Sequence, residues 1–496
     1  MLKNVLLIIA DEFRADSLGA AGNAIVRTPN LDGLAADGVL FEKCFVQATP
    51  CGPSRMCLFA GRYLCATGAL DNETPLVDAE DNLAMHLRNH GGTPAIMGYN
   101  DYAVDPRTLP PDDPRTTGIT MQNFLPGFDV ILDHEHHSEP YFEYLRARGY
   151  PESLCNARIT HEQNVPEEGP GDHLPLRYPA HFTAEDSPGQ FLTTQAIDYT
   201  KAHRGEGWFL SLNYIKPHGP DLCPAPYNDM YNPADMPPAV RRPEERDGTH
   251  PYLRRFALNG NDRLLSERDL RETRACYYGM ITELDACLGR LFQALKDSGQ
   301  WDDTLIVFTS DHGSHVGDHY MVGKAHYFDS AMRVPLIVRD PSHEADAARG
   351  QRFDMFCESI DVAPTVCAFL GVPPHARFQG RSLLGQIRGR PDAKPRERIH
   401  YEFYYHYSLR PEEKAKANLA ECRLWVVRDN RFKYVQSGEE AIPPMLFDLQ
   451  NDPGEFHNLA GEPEHAATLA AYCQHLIRWR IGNEDTRMER WTQRYR

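Results

Sequence analysis

No stretch of 18 consecutive apolar residues occurs in this 496-residue chain, so it offers no segment long enough to cross a bilayer as a helix. The first apolar run, Asn4-Val5-Leu6-Leu7-Ile8-Ile9-Ala10, is also too short for a signal h-region with its flanks and reads as a buried strand. Basic clusters are equally scarce. The chain holds 52 Lys and Arg against 70 Asp and Glu, a formal charge of −18, and no local basic stretch offsets it, which excludes a nucleic-acid partner. The twelve cysteines lack the tight spacings of a disulfide framework or a zinc ribbon. Cys276, Cys287, Cys367 and Cys473 lie in apolar contexts and read as free buried thiols, which points to a reducing cytoplasm and no membrane association. Internal repeats and low-complexity tracts are missing too. The acidic balance repels anions at long range, so any anion site must be made positive locally, by a metal ion and a few Arg, Lys or His side chains.

What is present suits a globular enzyme: 25% charged and 41% apolar residues, in a chain long enough for two domains. Apolar runs rich in Val, Ile and Leu, at 4–10, 209–214 and 304–309, alternate with helical patterns such as Met280, Leu284, Cys287, Leu288 and Leu291. That alternation predicts an α/β fold with a largely parallel sheet flanked by helices. Residues 104–190 and 216–252 are rich in Pro, Asp and Gly and read as irregular walls or lids. The segment 385–391 reads as a boundary. We therefore expect a catalytic domain over 1–391 and a C-terminal α+β subdomain over 392–496. The latter has strands near 399–403, 424–427 and 432–435 as a small antiparallel sheet. A helix opened by Pro463 carries Leu469, Tyr472, Leu476 and Trp479 on one side.

Three segments carry candidate chemistry. Asp11-Glu12 follows the first strand and Asp311-His312-Gly313 follows the strand at 304–309. Ligands gather at the carboxyl ends of strands in open α/β sheets, so two strands bring oxygen and imidazole donors to one edge. That suits one divalent cation, and the imidazole favours Mn²⁺ over Ca²⁺. A helix cap at Asp11 and a core-satisfied imidazole at His312 are the plainer alternatives. The third segment is Cys51-Gly52-Pro53-Ser54-Arg55, leading to Gly61-Arg62. It reads either as a helix beginning near Pro53 or as a site where cysteine is converted to a nucleophile. His134-Glu135-His136-His137 sits in a Pro-rich loop without spaced partners and does not read as a metal site.

Taken with Thr28-Pro29-Asn30-Leu31-Asp32, Lys216-Pro217-His218, Gly323-Lys324, Arg333-Val334-Pro335-Leu336 and the tail from Leu446 to Leu459, these segments resemble the sulfatases of the alkaline phosphatase superfamily. Within them, the chain is similar to the subgroup of phosphonate monoester hydrolases and related arylsulfatases. The resemblance implies an alkaline-phosphatase-like fold and oxidation of Cys51 to formylglycine by a maturation enzyme. It also implies a metal site of Asp11, Glu12, residue 51, Asp311 and His312. Arg55 would orient residue 51, and Lys324 and His218 would contact the substrate anion, with His218 as acid for the leaving oxygen. In the hydrated aldehyde one oxygen attacks and the other later expels the product, which a thiol cannot do.

The chain also departs from that pattern. Glu12 stands where aspartate or glutamine is usual, and the Lys-x-x-His segment of arylsulfatases is replaced by Gly98 to Arg107. There Tyr99 and Asp101, with Asn72, would face the substrate, although a hydroxyl residue is usual at 101. The insertion after Arg255 and the C-terminal tail read as shorter than in phosphonate hydrolases. From that we expect an arylsulfatase acting on small anionic esters, with phosphonate monoester and phosphodiester side activity, assembled as a homodimer. The alternatives are a primary phosphonate monoester hydrolase or a non-catalytic, unmatured anion-binding relative. A cysteine hydrolase using the Cys51 thiolate leaves Asp11, Asp311 and Lys324 unexplained.

Overall fold

The computed structural model describes residues 3–113, 123–135, 138–165, 178–245, 250–256, 266–390 and 394–484. The strands in chain order are β1 (Asn4–Asp11), β2 (Val39–Phe45), β3 (Ala48–Thr49), β4 (Pro94–Gly98), β5 (Asp129–Asp133), β6 (Phe209–Pro217), β7 (Thr304–Ser310), β8 (Arg333–Arg339), β9 (Gln351–Glu358), β10 (Ile399–Tyr404), β11 (Arg423–Arg428), β12 (Phe432–Ser437) and β13 (Met445–Asp448). Six helices matter for the argument: α1 (Pro29–Asp37), α2 (Cys51–Ala60), α3 (Pro188–Ala202), α4 (Glu267–Asp297), α5 (Val362–Leu370) and α6 (Ala466–Gly482).

The large sheet has the order β5-β4-β6-β1-β7-β8-β2-β9. Its neighbours pair in parallel except where β8 runs against β7 and β2. Every residue of β1 and of β7 is buried, because helices cover both faces of these strands and leave no polar side to alternate with. Even-numbered β1 residues Leu6 and Ile8 join one apolar cluster and odd-numbered Val5, Leu7 and Ile9 the other, the period-two signature of a doubly covered strand. On the first of these faces lies α4, with Met280, Leu284, Leu288 and Leu291 in the core. The mixed α/β architecture read from the sequence is therefore present, with a second, mostly antiparallel sheet beside it.

That second sheet runs β13-β12-β11-β10-β3. The three expected strands are there, and the tail segment beginning at Leu446 supplies β13. The partner on the far side was not foreseen: β3, two residues from Cys51, pairs in parallel with β10 through Glu402–Ala48 and Phe403–Thr49. A two-residue strand leaves no periodicity in a sequence. On the other flank α6 packs Tyr472 and Leu476 against Tyr434 and Leu446. The expected domain boundary at 391/392 lies outside the described residues. β5 also corrects the reading of 104–190 as irregular. It is an edge strand with one buried residue, Leu132, so it shows no alternation.

Gly98 ends β4 at φ +94°, and a Cβ there would stand 1.9 Å from the carbonyl oxygen of Asn213 on β6. Only glycine fits both the left-handed backbone and this approach. Gly98→Ala should destabilise the protein by about 3 kcal/mol or more; an unchanged urea midpoint would refute this contact.

A second test concerns the clamp between α4 and α1. Asp285 accepts from the Asn30 and Leu31 amides at 3.1 and 2.8 Å. Burial, aided by Asp32 and opposed by these bonds, raises its carboxyl to about 6. The native state thus holds this proton more tightly than the unfolded chain does. The contribution is full at acid pH and is lost as pH rises from about 4 to about 6. Relative to Asp285→Asn, the wild type should lose stability on the order of 1 kcal/mol between about pH 5 and pH 7. Parallel urea curves at both pH values provide the check.

Candidate active site and metal centre

Cys51 is the first residue of α2, two residues earlier than the Pro53 start read from the sequence. The whole helix is buried, and its first turn points unpaired amides toward the carboxyl ends of the central strands. One of them is taken: Gly52 N–H donates to Asn72 Oδ1 at 2.9 Å. Two non-glycine residues flank the centre in left-handed backbone conformation, Glu12 at φ +67° and Asp101 at φ +53°. Each such residue costs on the order of 1 kcal/mol, and such strain concentrates at functional sites.

Four donor atoms, from Asp11, Cys51, Asp311 and His312, lie within 4.8 Å of one another and are all buried. His312 Nε2 stands 3.3 Å from Cys51 Sγ and 3.6 Å from both Asp11 Oδ1 and Asp311 Oδ1. Its other ring nitrogen, Nδ1, donates to the Gly313 carbonyl at 2.9 Å, which leaves a bare Nε2 facing the carboxylates, as a metal-binding imidazole requires. Asp11 Oδ1 is buried with no hydrogen-bond partner. A deeply buried carboxylate oxygen without a donor is costly unless a cation completes it. Together these observations fit one divalent ion held by Asp11, Asp311 and His312, with residue 51 at its edge.

Electrostatics support that assignment. Burial, and then Asp311, raises the Asp11 carboxyl to about 6 against His218, Lys324 and His312. Burial acts the same way on Asp311, but His312 and Arg55 outweigh it and hold that carboxyl below the usual range. The Cys51 thiol is pushed well up by burial and by Asp11, against Lys324. An unmodified thiol here is therefore a poor nucleophile, which weakens the cysteine-hydrolase alternative.

Arg55 is fully buried and interacts electrostatically with Cys51 as well as with the carboxylates. Its Nε donates to Asp311 Oδ2 at 2.9 Å, Nη1 to Asn213 Oδ1 at 3.1 Å and Nη2 to the Tyr99 hydroxyl at 2.8 Å. Asp11 Oδ2 is 3.5 Å from Nη2. The guanidinium thus cross-braces the two carboxylates, while the Tyr99 ring stacks under it at 4.1 Å. Tyr99 supports Arg55, a partner not foreseen for it. Asn72 likewise has its oxygen engaged by the α2 backbone. Asp101 is buried; burial raises its carboxyl, with Arg55 opposing, and it interacts with the Cys51 side chain.

Glu12 is not in the four-donor group but forms a second cluster with Asp11 and His218, whose ligand atoms lie within 4.8 Å of one another. Its Oε1 accepts from Ser314 Oγ at 2.8 Å, and its Oε2 stands 3.6 Å from His218 Nε2 and 3.7 Å from Lys324 Nζ. The extra methylene and the left-handed backbone carry this carboxylate toward the two groups expected to face substrate. Lys324 is held well above its usual pKa: burial opposes the charge, but Cys51, Asp11 and Glu12 outweigh it. His218 is more open than Lys324, with 31% of its side chain exposed against 15%, and its Nδ1 donates to the Gly219 carbonyl at 2.7 Å.

Sequence reasoning missed Asn213, Ser314, Ser54 and Tyr277. Ser54 Oγ bonds the Asp311 carbonyl, and the Tyr277 hydroxyl donates to the Glu12 carbonyl at 2.6 Å. Asn213 had a legible signal, an amide inside an otherwise apolar strand that is buried on both faces. The others had none.

A carboxylate and imidazole metal cradle at the carboxyl edge of a largely parallel sheet, beside a helix-terminal nucleophile position, defines a hydrolase of the alkaline phosphatase superfamily. The chain belongs to the sulfatase family within it: the Sulfatase family model matches residues 3–372, and the model for the C-terminal region of N-sulphoglucosamine sulphohydrolase matches 317–481. Among relatives, the chain is 37% identical to the multifunctional alkaline phosphatase superfamily protein PehA of Trinickia caryophylli, over 97% of this chain and 96% of that protein. The fold matches the phosphonate monoester hydrolase of Agrobacterium radiobacter at TM-score 0.88 and 36% identity, covering 97% and 96% of the two chains. It matches that of Silicibacter pomeroyi at TM-score 0.89, 34% identity and the same coverage.

Two measurements test the site. Arg55→Met leaves two buried carboxylates without their brace and should cost the metal-free protein about 3–5 kcal/mol, read from urea curves in chelator. Metal analysis of purified variants should find the ion lost in Asp11→Asn and retained in Glu12→Gln. Loss in both would make Glu12 a ligand after all.

Proposed function

We propose that the protein hydrolyses monoanionic esters, phosphonate monoesters first and sulfate monoesters as a second activity, through a formylglycine made from Cys51. The observation that carries this reading is the arrangement around residue 51: the Asp11, Asp311 and His312 cradle next to it, with Lys324 and His218 gathered around Glu12. The order of the two activities reverses the expectation drawn from a shorter insertion and tail. The residues concerned, 257–265 and 485–496, lie outside the described residues. Coverage of 96–97% in both directions with the A. radiobacter hydrolase leaves little room for a large difference in length.

A divalent ion in the cradle would supply Lewis-acid polarisation of the ester's oxygens. The protein's own groups do the rest. Residue 51, presented by the first turn of α2, delivers the attacking oxygen, and a second hydroxyl on the same carbon allows the product to be expelled. Lys324 offsets the anion's charge in a chain that otherwise repels it. His218 donates the proton to the leaving oxygen from Nε2, a role left open to that nitrogen by the Nδ1 bond to the Gly219 carbonyl. Arg55, with Asn213 and Tyr99 behind it, keeps the two carboxylates at fixed spacing so that the cradle needs no reorganisation. Among the described residues no helix is long and apolar enough to cross a membrane.

The deciding experiment compares kcat/KM for an aryl phosphonate monoester and an aryl sulfate on one preparation. The phosphonate should win by roughly a hundredfold, equivalent to about 3 kcal/mol of transition-state binding. A sulfate preference of that size would overturn the order proposed, and turnover of neither would overturn the reading. Cys51→Ala should abolish turnover, and peptide mass spectrometry around residue 51 should find the aldehyde in active material.

A further inference from the structure

The His134-Glu135 segment, which has no role in the site above, lines a cavity of ≈ 50 Å³ together with Ile215, Lys216, Pro220 and Glu283. Its remaining walls are mostly apolar. Two links tie this cavity to the catalytic edge. Ile215, Lys216 and Pro220 bracket His218 in sequence, so the segment that carries the leaving-group acid forms one wall. On the opposite side, His134 N–H donates to the Gly98 carbonyl at 2.9 Å, next to Tyr99 and Asp101. None of the site residues above is in the cavity's lining, but Glu135 interacts electrostatically with Asp101, Arg55 and Asp11, which puts the cavity near the catalytic edge.

Its polar lining includes hydroxyls already engaged elsewhere, Thr160 with the Ala157 carbonyl and Tyr214 with Thr193, and three groups that can accept. His134 is 4% exposed; its Nε2 donates to the Pro188 carbonyl at 3.0 Å, which makes Nδ1 an acceptor, and Nδ1 has no partner. Glu135 and Glu283 add two carboxyls. The one cation in the lining, Lys216, is engaged: its ammonium donates to the Pro220 carbonyl at 2.8 Å and approaches the His218 carbonyl at 3.5 Å. Glu283 has a hydrogen bond from Ser187 and feels Lys216, so among the lining residues the buried acceptor left without a partner is His134 Nδ1, a deficit that costs free energy unless something donating or cationic enters.

Resting on the hydrolase reading above, we propose that this cavity receives a protonated primary amine on the leaving alcohol, so that the preferred substrates are aminoalkyl esters. The ammonium donates to His134 Nδ1 and pairs with Glu135 and Glu283. The volume suits an ammonium and a carbon or two, several times what one water needs and less than an aryl ring. The titration behaviour agrees. Burial lowers His134 to about 4 and so keeps it a neutral acceptor. Burial, with Asp101 and Asp133, raises Glu135 to about 7; burial likewise raises Glu283 to about 7 against Ser187 and Lys216. A bound cation would let both carboxyls ionise.

The test compares the 2-aminoethyl and n-propyl esters of methylphosphonate, nearly equal in size, at about pH 8, where the amine is charged and the carboxyls are ionised. The wild type should favour the aminoethyl ester by about tenfold or more in kcat/KM. Glu135→Gln and Glu283→Gln should each bring that ratio toward one. A merely structural role would depress both esters together and leave the ratio unchanged, which overturns the proposal. So does a wild-type ratio near one, the result expected if the cavity holds only water. Should Glu283→Gln fail to fold, Glu135→Gln decides. If neither ester turns over, the aryl esters above decide the hydrolase reading, and calorimetry of 2-aminoethanol with Cys51→Ala decides the cavity: binding that Glu135→Gln removes supports it, and no binding overturns it.

Discussion

The buried ion cluster around Arg55 is the interaction on which the rest of this site depends. Its guanidinium is fully buried and braces Asp11 and Asp311, with Asn213 and Tyr99 holding the remaining donors. Removing such a group from water costs several kcal/mol, which only complete pairing offsets. Here the pairing draws on β1, β6, the segment after β4, α2 and the segment after β7. Those elements must reach their final places together, or two carboxylates are left facing each other in a medium that tolerates neither. The same brace sets the spacing at which a cation fits.

The chain's overall acidity and the site's task pull in opposite directions. A protein of charge −18 gathers Asp11, Glu12, Asp101 and Asp311 around one point and then has to admit an anion. Positive charge is concentrated to compensate: Arg55 behind the carboxylates and Lys324 in front of them, with donor atoms between that fit a cation. Such local charges act over a few ångströms in a dry site, whereas the bulk charge is screened within a Debye length. Glu12 belongs to this balance through Lys324 and His218. That is why one methylene more than aspartate changes which neighbours the carboxylate serves.

Much of the fold was legible because its signals are local. Strands buried on both faces leave unbroken apolar runs, and β1, β6 and β7 are all of that kind. α4 shows its core face at helical spacing. What escaped were elements too short or too exposed to have a period: β3 with two residues, and β5 with a single buried side chain. Within the site, Asp11, Asp311 and His312 stood out because they sit at strand ends, and Cys51 because the segment Cys51 to Arg55 resembles that of sulfatases. The tasks of Tyr99 and Asn72 did not. No pattern along the chain shows that the Tyr99 ring lies under the Arg55 guanidinium.

By itself the sequence determined the class of architecture, the edge of the sheet that carries the chemistry and the residue types available there, since all three follow from chain-local patterns of burial and turn. Tertiary structure alone decided which carboxylates share a cation, which partner Arg55 and Glu12 each serve, and that the second sheet is completed by the strand leading into Cys51. Those outcomes depend on contacts between residues up to some three hundred positions apart, as between Glu12 and Ser314. No window along the chain records which of several equally suitable partners packing will bring within 3 Å.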